Sequence, residues 1–213
     1  MAELALTLLL AGLRGLGTYA RATRWQPPLG TNLLGARVAV VGGGGITESL
    51  LRLLGPFGCD VTVVRRRAAG LDGASRVVTP DHLDDALAAA DAAVLALVLT
   101  ADTSGLLDRR RLDLLGERGW LVNVARGRHV VTDDLVAALR EGTLGGAALD
   151  VTEPEPLPDG HPLWTFPNVL ITPHVGNTPE MAAPLLANRV SENLRRWAAG
   201  EPLLGLVDVA AGY

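Results

Sequence analysis

No lysine occurs anywhere in this sequence, and all nineteen basic residues are arginine. A codon usage biased toward alanine, glycine, leucine, valine and arginine is the simple explanation. The absence still restricts the chemistry, because Schiff bases, pyridoxal phosphate anchoring and the Walker A phosphate loop all require a lysine. The Tyr/Lys pair of short-chain dehydrogenases is excluded for the same reason.

Cysteine and aromatic residues are scarce as well. Cys59 is the single cysteine, which excludes an intramolecular disulfide and a cysteine-based zinc site. We therefore expect a cytoplasmic protein with no metal site. Aromatic residues make up 4% of the chain, and the net charge is −4. Because the arginines form no basic stripe with aromatic neighbours, we expect no nucleic-acid partner.

The apolar amino-terminal segment predicts a buried helix rather than a signal peptide or a membrane span. Glu3 stands where a signal peptide would carry a basic residue, and the apolar run is too short to cross a bilayer. We expect no membrane association. Leucines surround the helix axis, which is the pattern of a helix buried on most sides: Leu4, Leu6, Leu8, Leu9, Leu10, Leu13 and Leu16.

An alternation of strands and helices begins at residue 37. Apolar runs predict strands at 37–41, 61–64, 77–78, 93–97, 120–124, 146–149 and 169–171. Amphipathic segments predict helices at 46–57, 81–89, 109–115, 133–141 and 179–199. This pattern predicts an α/β fold, a doubly wound parallel sheet of the Rossmann type with helices on both faces. Thr132 is expected to cap the helix at 133–141, and Gly142 to end it.

The first predicted strand leads directly into a glycine-rich turn and a helix. In this context glycines let the backbone approach a dinucleotide pyrophosphate, and the amides at the helix start stabilise its charge. Gly42 and Gly44 fill the first two positions of G-x-G-x-x-G, but Thr47 stands at the third. We expect Gly45 and Ile46 to contact the dinucleotide as well. A glycine-rich turn that binds nothing is the alternative.

The second predicted strand ends in three consecutive arginines. An NAD-preferring site carries Asp or Glu here, which accepts a hydrogen bond from the ribose 2′-hydroxyl. A guanidinium cannot accept that bond, but it pairs well with a 2′-phosphate. Arg65 and Arg66 therefore predict that NADP(H) is preferred over NAD(H). A solvated basic loop is the alternative.

A cation, a carboxylate and an imidazole follow three later strands. Arg126 comes after the strand at 120–124, Glu155 after 146–149 and His174 after 169–171. Ligands of open α/β sheets bind at the carboxyl ends of the strands, so we expect these side chains to converge on one crevice. An imidazolium can protonate a carbonyl oxygen near neutral pH, and an arginine fork matches a substrate carboxylate. Each residue taken singly has an alternative role: Arg126 in a surface ion pair, Glu155 as a solvated loop residue and His174 as the cap of the next helix.

The segments around these residues resemble the signatures of the D-isomer-specific 2-hydroxyacid dehydrogenases. The resemblance lies in Val122-Asn-Val-Ala-Arg126-Gly, Gly145-Gly-Ala-Ala-Leu-Asp150-Val-Thr-Glu-Pro-Glu155-Pro and Asn168-Val-Leu-Ile-Thr-Pro-His174. It implies an oxidoreductase that transfers a hydride between NAD(P)H and a small 2-oxo acid, such as glyoxylate or hydroxypyruvate. It also implies a homodimer formed through the first helix and the Trp25 segment.

The resemblance assigns roles to individual residues. Arg126 binds and polarises the 2-oxo carboxylate, His174 is the acid/base and Glu155 is its partner. Asp150 lies near the nicotinamide. Further cofactor contacts are expected at Thr100, Ala125 and Gly176.

The sequence departs from the family pattern at its amino terminus and at the loop that contains Val98. Val98 occupies a position where the family usually has proline beside the cofactor. We assign residues 1–176 to a dinucleotide-binding domain with its core at 36–175, and residues 177–213 to a helix and tail returning toward an incomplete substrate domain. The family places the first half of that domain before the helix that opens this chain. We therefore hypothesise an encoded product that begins further upstream, or a truncated relative.

Two other functional classes remain open. One is a catalytically silent dinucleotide-binding scaffold, because relatives of this fold act as redox-sensing corepressors. The other, an unrelated Rossmann protein acting on sugars or amino acids, fits poorly without lysine. Glu155 argues against the formate dehydrogenase branch, where glutamine replaces that glutamate. The remaining histidines are predicted to be structural or solvated: His82, His129 and His161.

Overall fold

Seven parallel strands form one sheet in the first of the two units into which the chain divides, Met1–Pro173 and His174–Tyr213. The computed structural model describes residues 1–67, 69–207 and 209. The order across the sheet is β3-β2-β1-β4-β5-β6-β7, with every neighbouring pair parallel. This confirms the predicted doubly wound fold. The strands are β1 (Arg37–Val41), β2 (Asp60–Val64), β3 (Arg76–Val78), β4 (Ala92–Leu95), β5 (Trp120–Asn123), β6 (Gly146–Leu149) and β7 (Val169–Ile171).

Apart from the short helix α2, which was not predicted, the helices follow the predicted order. The first unit contains α1 (Ala2–Leu13), α2 (Leu16–Ala20), α3 (Gly45–Leu54), α4 (Leu83–Ala88), α5 (Arg109–Leu115) and α6 (Thr132–Glu141); the second contains α7 (Pro179–Ala198). The helix predicted to reach residue 57 ends at Leu54 and continues as the 3-10 turn Gly55–Phe57. Pro56 lacks the N–H that the next intrahelical hydrogen bond would need.

Apolar side chains cover both faces of the sheet. Along β1, Val38 and Val40 point to the face covered by α1 and α3, whereas Ala39 and Val41 point to the face covered by α4, α5 and α6. Alternate residues of a strand point to opposite faces, so a strand that is apolar throughout is buried on both. The sheet is therefore held rigidly between two helical layers.

Helix α1 is buried along one side. Leu8, Leu9 and Leu13 are buried, whereas Glu3 is exposed. The helix ends before Leu16, because Gly15 adopts a left-handed conformation with φ +63° and turns the chain into α2. The leucine pattern predicted burial on most sides, whereas the buried residues lie along one side, and it placed the helix end too late.

The ends of α6 gave one wrong and one correct prediction. Thr132 does not cap the helix; its hydroxyl instead donates a hydrogen bond of 2.6 Å to the carbonyl of Glu153. Gly142 ends the helix in a left-handed conformation, with its N–H bonded to the carbonyl of Ala138. The prediction for Gly142 depends on the local backbone conformation alone and was correct. The prediction for Thr132 was wrong because its hydroxyl bonds to a residue on a loop distant in sequence.

The second unit consists of α7 and the tail that follows it. Thr178 caps α7, and Asn193 exchanges two hydrogen bonds with the backbone of Leu204. Glu192 pairs with Arg195 and Arg196, whose hydrogen bonds lower the pKa of this carboxyl to about 2. No residue of α7, all of which the structure describes, is buried. Its exposed apolar side chains are Met181, Leu185, Leu186, Val190, Leu194 and Trp197. Among the described helices, none combines the length and apolar character needed to cross a bilayer.

Candidate functional site

The direction of the strand order reverses between β1 and β4. From β1 the chain adds β2 and β3 on one side, then crosses back to place β4 on the other side of β1. A crevice opens at such a switch point, outside the carboxyl ends of the two strands. Val41, the last residue of β1, pairs with Val64 of β2 and Leu95 of β4. The glycine-rich turn therefore starts at the position where this fold class binds ligands.

Gly42 is the residue on which the turn depends. It has φ +124°, and a Cβ added to it would stand 2.1 Å from the carbonyl oxygen of Ala96. No other residue fits this position, because both the conformation and the space exclude a side chain. The loop that follows β4 thus packs directly against the turn that follows β1.

The start of α3 faces open space. Gly44 precedes the helix and Gly45 begins it, and a Cβ added to either would meet no atom within 4 Å. The first amides of a helix lack intrahelical partners and attract anions. The turn therefore has the donors and the room that a pyrophosphate requires. Ile46, the next residue, is partly exposed.

Thr47 occupies the third glycine position of the fingerprint. It is fully buried, and its hydroxyl donates a 3.0 Å hydrogen bond to the carbonyl of Gly42. The side chain therefore fastens the helix to the turn, so the substitution supports the loop instead of disrupting it.

Arg65 lies beside the same turn. It directly follows β2 and is partly buried, and a Cβ added to Gly43 would stand 2.8 Å from both Cδ and Nε of Arg65. The aliphatic part of the side chain thus runs along Gly43. Arg66 is exposed. Arg65 and Arg66 are thus the first two of the three arginines that follow the strand beside the glycine-rich turn.

The loop after β4 carries Thr100. The N–H of Thr100 donates a 2.8 Å hydrogen bond to the hydroxyl of Thr103, whose own hydroxyl donates to the carbonyl of Val98 at 2.9 Å. The carbonyl of Thr100 accepts the N–H of Ser104 at 3.0 Å. Val98, which replaces the expected proline, is 45% exposed. Local hydrogen bonds thus close this loop into a turn.

Asn123 holds the backbone that carries Arg126. This buried residue at the end of β5 accepts the N–H of Ala125 through Oδ1 and donates through Nδ2 to the carbonyl of Arg126, each at 3.0 Å. The side chain of Arg126 is exposed and donates to the carbonyl of Ala125 at 2.6 Å. Sequence reasoning missed Asn123, although a polar residue inside an apolar strand must find partners.

Asp150 lies between the ends of three strands. It is 1% exposed; its N–H donates to the carbonyl of Asn123 at 2.9 Å, and its carboxylate accepts the hydroxyl of Thr172 at 2.6 Å. A buried carboxylate needs such donors. The side chain is therefore held at the carboxyl ends of β5, β6 and β7.

The loop that carries Glu155 packs against the turn that carries Arg126. A Cβ added to Gly127 would stand 1.9 Å from the carbonyl oxygen of Thr152. The hydroxyl of Thr152 donates to the carbonyl of Pro154 at 2.9 Å. Glu155 itself is exposed. The first unit thus places a cation and a carboxylate on two loops in direct backbone contact.

His174 and Gly176 belong to the second unit. His174 is exposed and has φ +54°, and among the described residues it is the one non-glycine residue with a positive φ. Such a conformation costs about 1–2 kcal/mol, and residues that adopt it are concentrated at functional sites. Gly176 is buried. The predicted convergence of His174 with Arg126 and Glu155 stays a prediction.

The comparisons with known proteins agree with this architecture. The family model for the D-isomer specific 2-hydroxyacid dehydrogenase, NAD binding domain, matches residues 5–176. The chain belongs to this family. Within the dehydrogenase family, the chain is 33% identical to the glyoxylate/hydroxypyruvate reductase A of Klebsiella pneumoniae, over 100% of this chain and 69% of that protein. It is 44% identical to an uncharacterized protein of Corynebacterium melassecola, over 83% of this chain and 58% of the relative.

Solved dehydrogenase structures have the same fold. A D-isomer specific 2-hydroxyacid dehydrogenase of Xanthobacter autotrophicus, in complex with NADPH and MES, superposes with a TM-score of 0.87 at 38% identity and covers 100% of this chain and 88% of that one. An NADPH-dependent glyoxylate/hydroxypyruvate reductase of Sinorhizobium meliloti, in complex with NADP and sulfate, gives 0.87 at 31% identity, over 100% of this chain and 69% of that one. The chain spans 58% and 69% of the two curated relatives named above.

Proposed function

We propose that this protein is an oxidoreductase that reduces small 2-oxo acids to 2-hydroxy acids with a nicotinamide coenzyme. One observation carries the proposal: the exposed guanidinium of Arg126 and the open glycine turn at Gly44 follow strands of one parallel sheet. The carboxyl ends of parallel strands lie at one edge of a sheet. Family membership supports the same function, since relatives are named as glyoxylate/hydroxypyruvate reductases.

The residues present fit the coenzyme, and each has a proposed role. When bound, NAD(P)H supplies the hydride. The amides at the start of α3 hold the pyrophosphate, and Thr100, Ala125, Asp150 and Gly176 contribute further contacts. We assign nucleotide binding to residues 1–176, and to 177–213 a helix and tail that belong with the substrate domain.

On the substrate side of the site, we propose that one residue binds the substrate through its positive charge and another donates a proton. The planar fork of Arg126 binds the substrate carboxylate through two parallel hydrogen bonds, and its positive charge polarises the neighbouring oxo group. His174 delivers the proton to the oxo oxygen, and Glu155 supports it in that task. These assignments come from the family motifs at the three positions.

The preference for NADP(H) over NAD(H) is part of the proposal. Arg65 follows β2 and lies along Gly43, which puts a cation where an NAD-selective enzyme of this fold has a carboxylate. Complexes with NADPH and NADP among the similar structures support this preference.

A cytoplasmic homodimer is proposed as the working form. Trp25 is 99% exposed and Leu34 is 72% exposed, both in the segment between α2 and β1. Large exposed apolar side chains are a feature that an interface would bury. The single Cys59 agrees with a reducing compartment. Light scattering of the wild-type chain and of Trp25→Ala tests the dimer, and a wild-type monomer contradicts it.

The proposed activity is tested by following NADPH absorbance with glyoxylate, hydroxypyruvate and bulkier 2-oxo acids. Turnover with any of them, abolished in Arg126→Ala, supports the enzyme. NADPH binding without turnover of any 2-oxo acid supports the silent scaffold instead. Failure to bind either coenzyme contradicts both.

A further inference from the structure

His129 is a buried imidazole that the proposed chemistry does not use. It follows the Arg126 turn and has no exposed surface. Its Nδ1 lies 2.9 Å from the carbonyl oxygen of Thr103, and its Nε2 lies 3.3 Å from the carbonyl oxygen of Leu97. Carbonyls only accept hydrogen bonds, so a neutral ring donates to one of them and a protonated ring to both.

The two carbonyls belong to the loop between β4 and α5. This loop starts at Ala96, which packs against Gly42, and it contains Thr100. From the turn that follows Arg126, His129 thus contacts both ends of the segment 97–103, which begins beside Gly42. The contacts span 26 and 32 residues of sequence.

The backbone around His129 reinforces the same connection. The N–H of Gly105 donates to the carbonyl of Arg128, and the N–H of Leu107 donates to the carbonyl of His129, both at 2.8 Å. A parallel bridge joins Leu107 to Val130. The loop after β4 therefore docks along the segment after Arg126, with the imidazole between them.

On its other side, His129 fixes the Arg126 turn. The N–H of His129 donates to the carbonyl of Arg126 at 3.2 Å, the same oxygen that accepts from Asn123. One residue therefore touches both the turn that carries the guanidinium and the loop that lies beside Gly42.

We propose that His129 is a positioning residue that locks the coenzyme loop (residues 97–103) to the turn carrying Arg126. The importance of this lock for coenzyme binding rests on the proposed function. An apolar side chain of similar size would fill the same volume, but it would remove the ring N–H that donates to the carbonyl of Thr103, of Leu97 or of both. A partly buried carbonyl that loses its donor forms a hydrogen bond with water instead, so we expect the loop to open.

The test compares His129→Leu, which keeps the volume but has no donor, with His129→Gln, which keeps a donor. Leu9→Ala is the matched control, because Leu9 is fully buried on the opposite face of the sheet and its truncation lowers stability at a place away from both loops. Amide hydrogen exchange of residues 97–107 is measured without ligand. NADPH dissociation constants, together with kcat and KM, are measured at a temperature where each variant is folded.

We expect His129→Leu to exchange at least 10-fold faster at residues 97–107 and to bind NADPH at least 5-fold more weakly. His129→Gln should recover most of both losses, and Leu9→Ala should match the wild type. If His129→Leu exchanges like Leu9→Ala at these residues, the inference is overturned. Equal NADPH affinities of these two variants also overturn it, provided that the wild-type chain binds NADPH. If His129→Leu does not fold, His129→Gln is compared with His129→Ala. Wild-type exchange and NADPH affinity in His129→Gln, together with faster exchange and weaker affinity in His129→Ala, support the inference. Equal values for His129→Gln and His129→Ala overturn it.

The exchange measurement separates this inference from the proposed function. If the wild-type chain binds no NADPH, the proposed function fails. Loop exchange still decides whether the imidazole locks the loop, since that measurement requires neither coenzyme nor turnover.

Discussion

Gly42 faces the carbonyl oxygen of Ala96 so closely that a Cβ on Gly42 would stand 2.1 Å from it. We expect Gly42→Ala to lower the free energy of unfolding by about 2–4 kcal/mol, because it adds a clash to a conformation with positive φ. Gly44→Ala is the control, since that position is open, and it should cost at most about 1 kcal/mol. Urea denaturation measures both, and equal losses would contradict the prediction.

Thr47 gives a second stability prediction. Thr47→Val keeps the shape but removes the hydroxyl bonded to the carbonyl of Gly42, and we expect a loss of about 1–2 kcal/mol. Thr47→Ser keeps the hydroxyl, and it should retain the hydrogen bond with a smaller loss. Thermal and urea unfolding measure the difference. If valine proves as stable as threonine, the bond does not support the turn.

The arginines after β2 give a prediction on coenzyme choice. Changing Arg65 and Arg66 together to serine should reduce the ratio of NADPH to NADH affinity at least 10-fold, because the guanidinium partners of the 2′-phosphate are lost. Changing Arg118 and Arg140 together to serine controls for the loss of two charges, because both arginines are exposed and lie outside the glycine-rich turn. Isothermal titration with each coenzyme gives the ratio. An unchanged ratio would assign the arginines to a solvated loop.

Arg126 gives a prediction on catalysis. Arg126→Lys keeps the charge but loses the planar fork, and we expect kcat/KM for the 2-oxo acid to fall at least 100-fold. The melting temperature should hardly change, because the side chain is exposed. Arg128→Lys is the matched control on the neighbouring exposed arginine. Similar kinetic losses in the two variants would argue against a special role for Arg126.

The pair of Asp91 and Arg37 gives a prediction on pH. Arg37 donates side-chain hydrogen bonds to Asp91 at 2.6 and 3.2 Å, and these bonds lower the pKa of the Asp91 carboxyl. A lowered folded-state pKa contributes stability above the unfolded value of about 3.9, and this contribution is lost as the pH falls through the folded value.

Asp91→Asn should therefore reduce stability at neutral pH by about 0.5–1 kcal/mol, since the pair is partly exposed. The difference from wild type should shrink below a pH of about 3. Unfolding free energies of the wild type and of Asp91→Asn, measured from neutral pH to below about pH 3, test this dependence. If their difference is the same at all pH values, the pair does not contribute to the loss of stability in acid.

The sheet was predictable from the sequence, whereas the supports of the site were not. Each strand is apolar on both faces, which is a local pattern, and all seven predicted strands are present. One strand was predicted to reach residue 97 because apolar residues continue to that position, but it ends at Leu95. The apolar residues after Leu95 belong to the loop that packs against Gly42. Local composition does not distinguish a buried strand from a buried apolar loop.

The polar partners of the site depend on contacts between distant segments. Thr132 looked like a helix cap, but its hydroxyl bonds to Glu153, which lies on another loop. His129 looked isolated in the sequence, because its partners Leu97 and Thr103 offer backbone carbonyls that no side-chain pattern reveals. Sequence periodicity reports burial, and it carries no information on which distant carbonyl a side chain reaches.

The contact between Gly127 and Thr152 has a consequence for which changes the site tolerates. Because a Cβ at position 127 would overlap the carbonyl oxygen of Thr152, the spacing between the two loops requires glycine at this position. A side chain introduced here would move the loop of Arg126 and the loop of Glu155 apart. Changes of substrate preference are therefore expected from substitutions elsewhere around the crevice, which leave these two loops in contact.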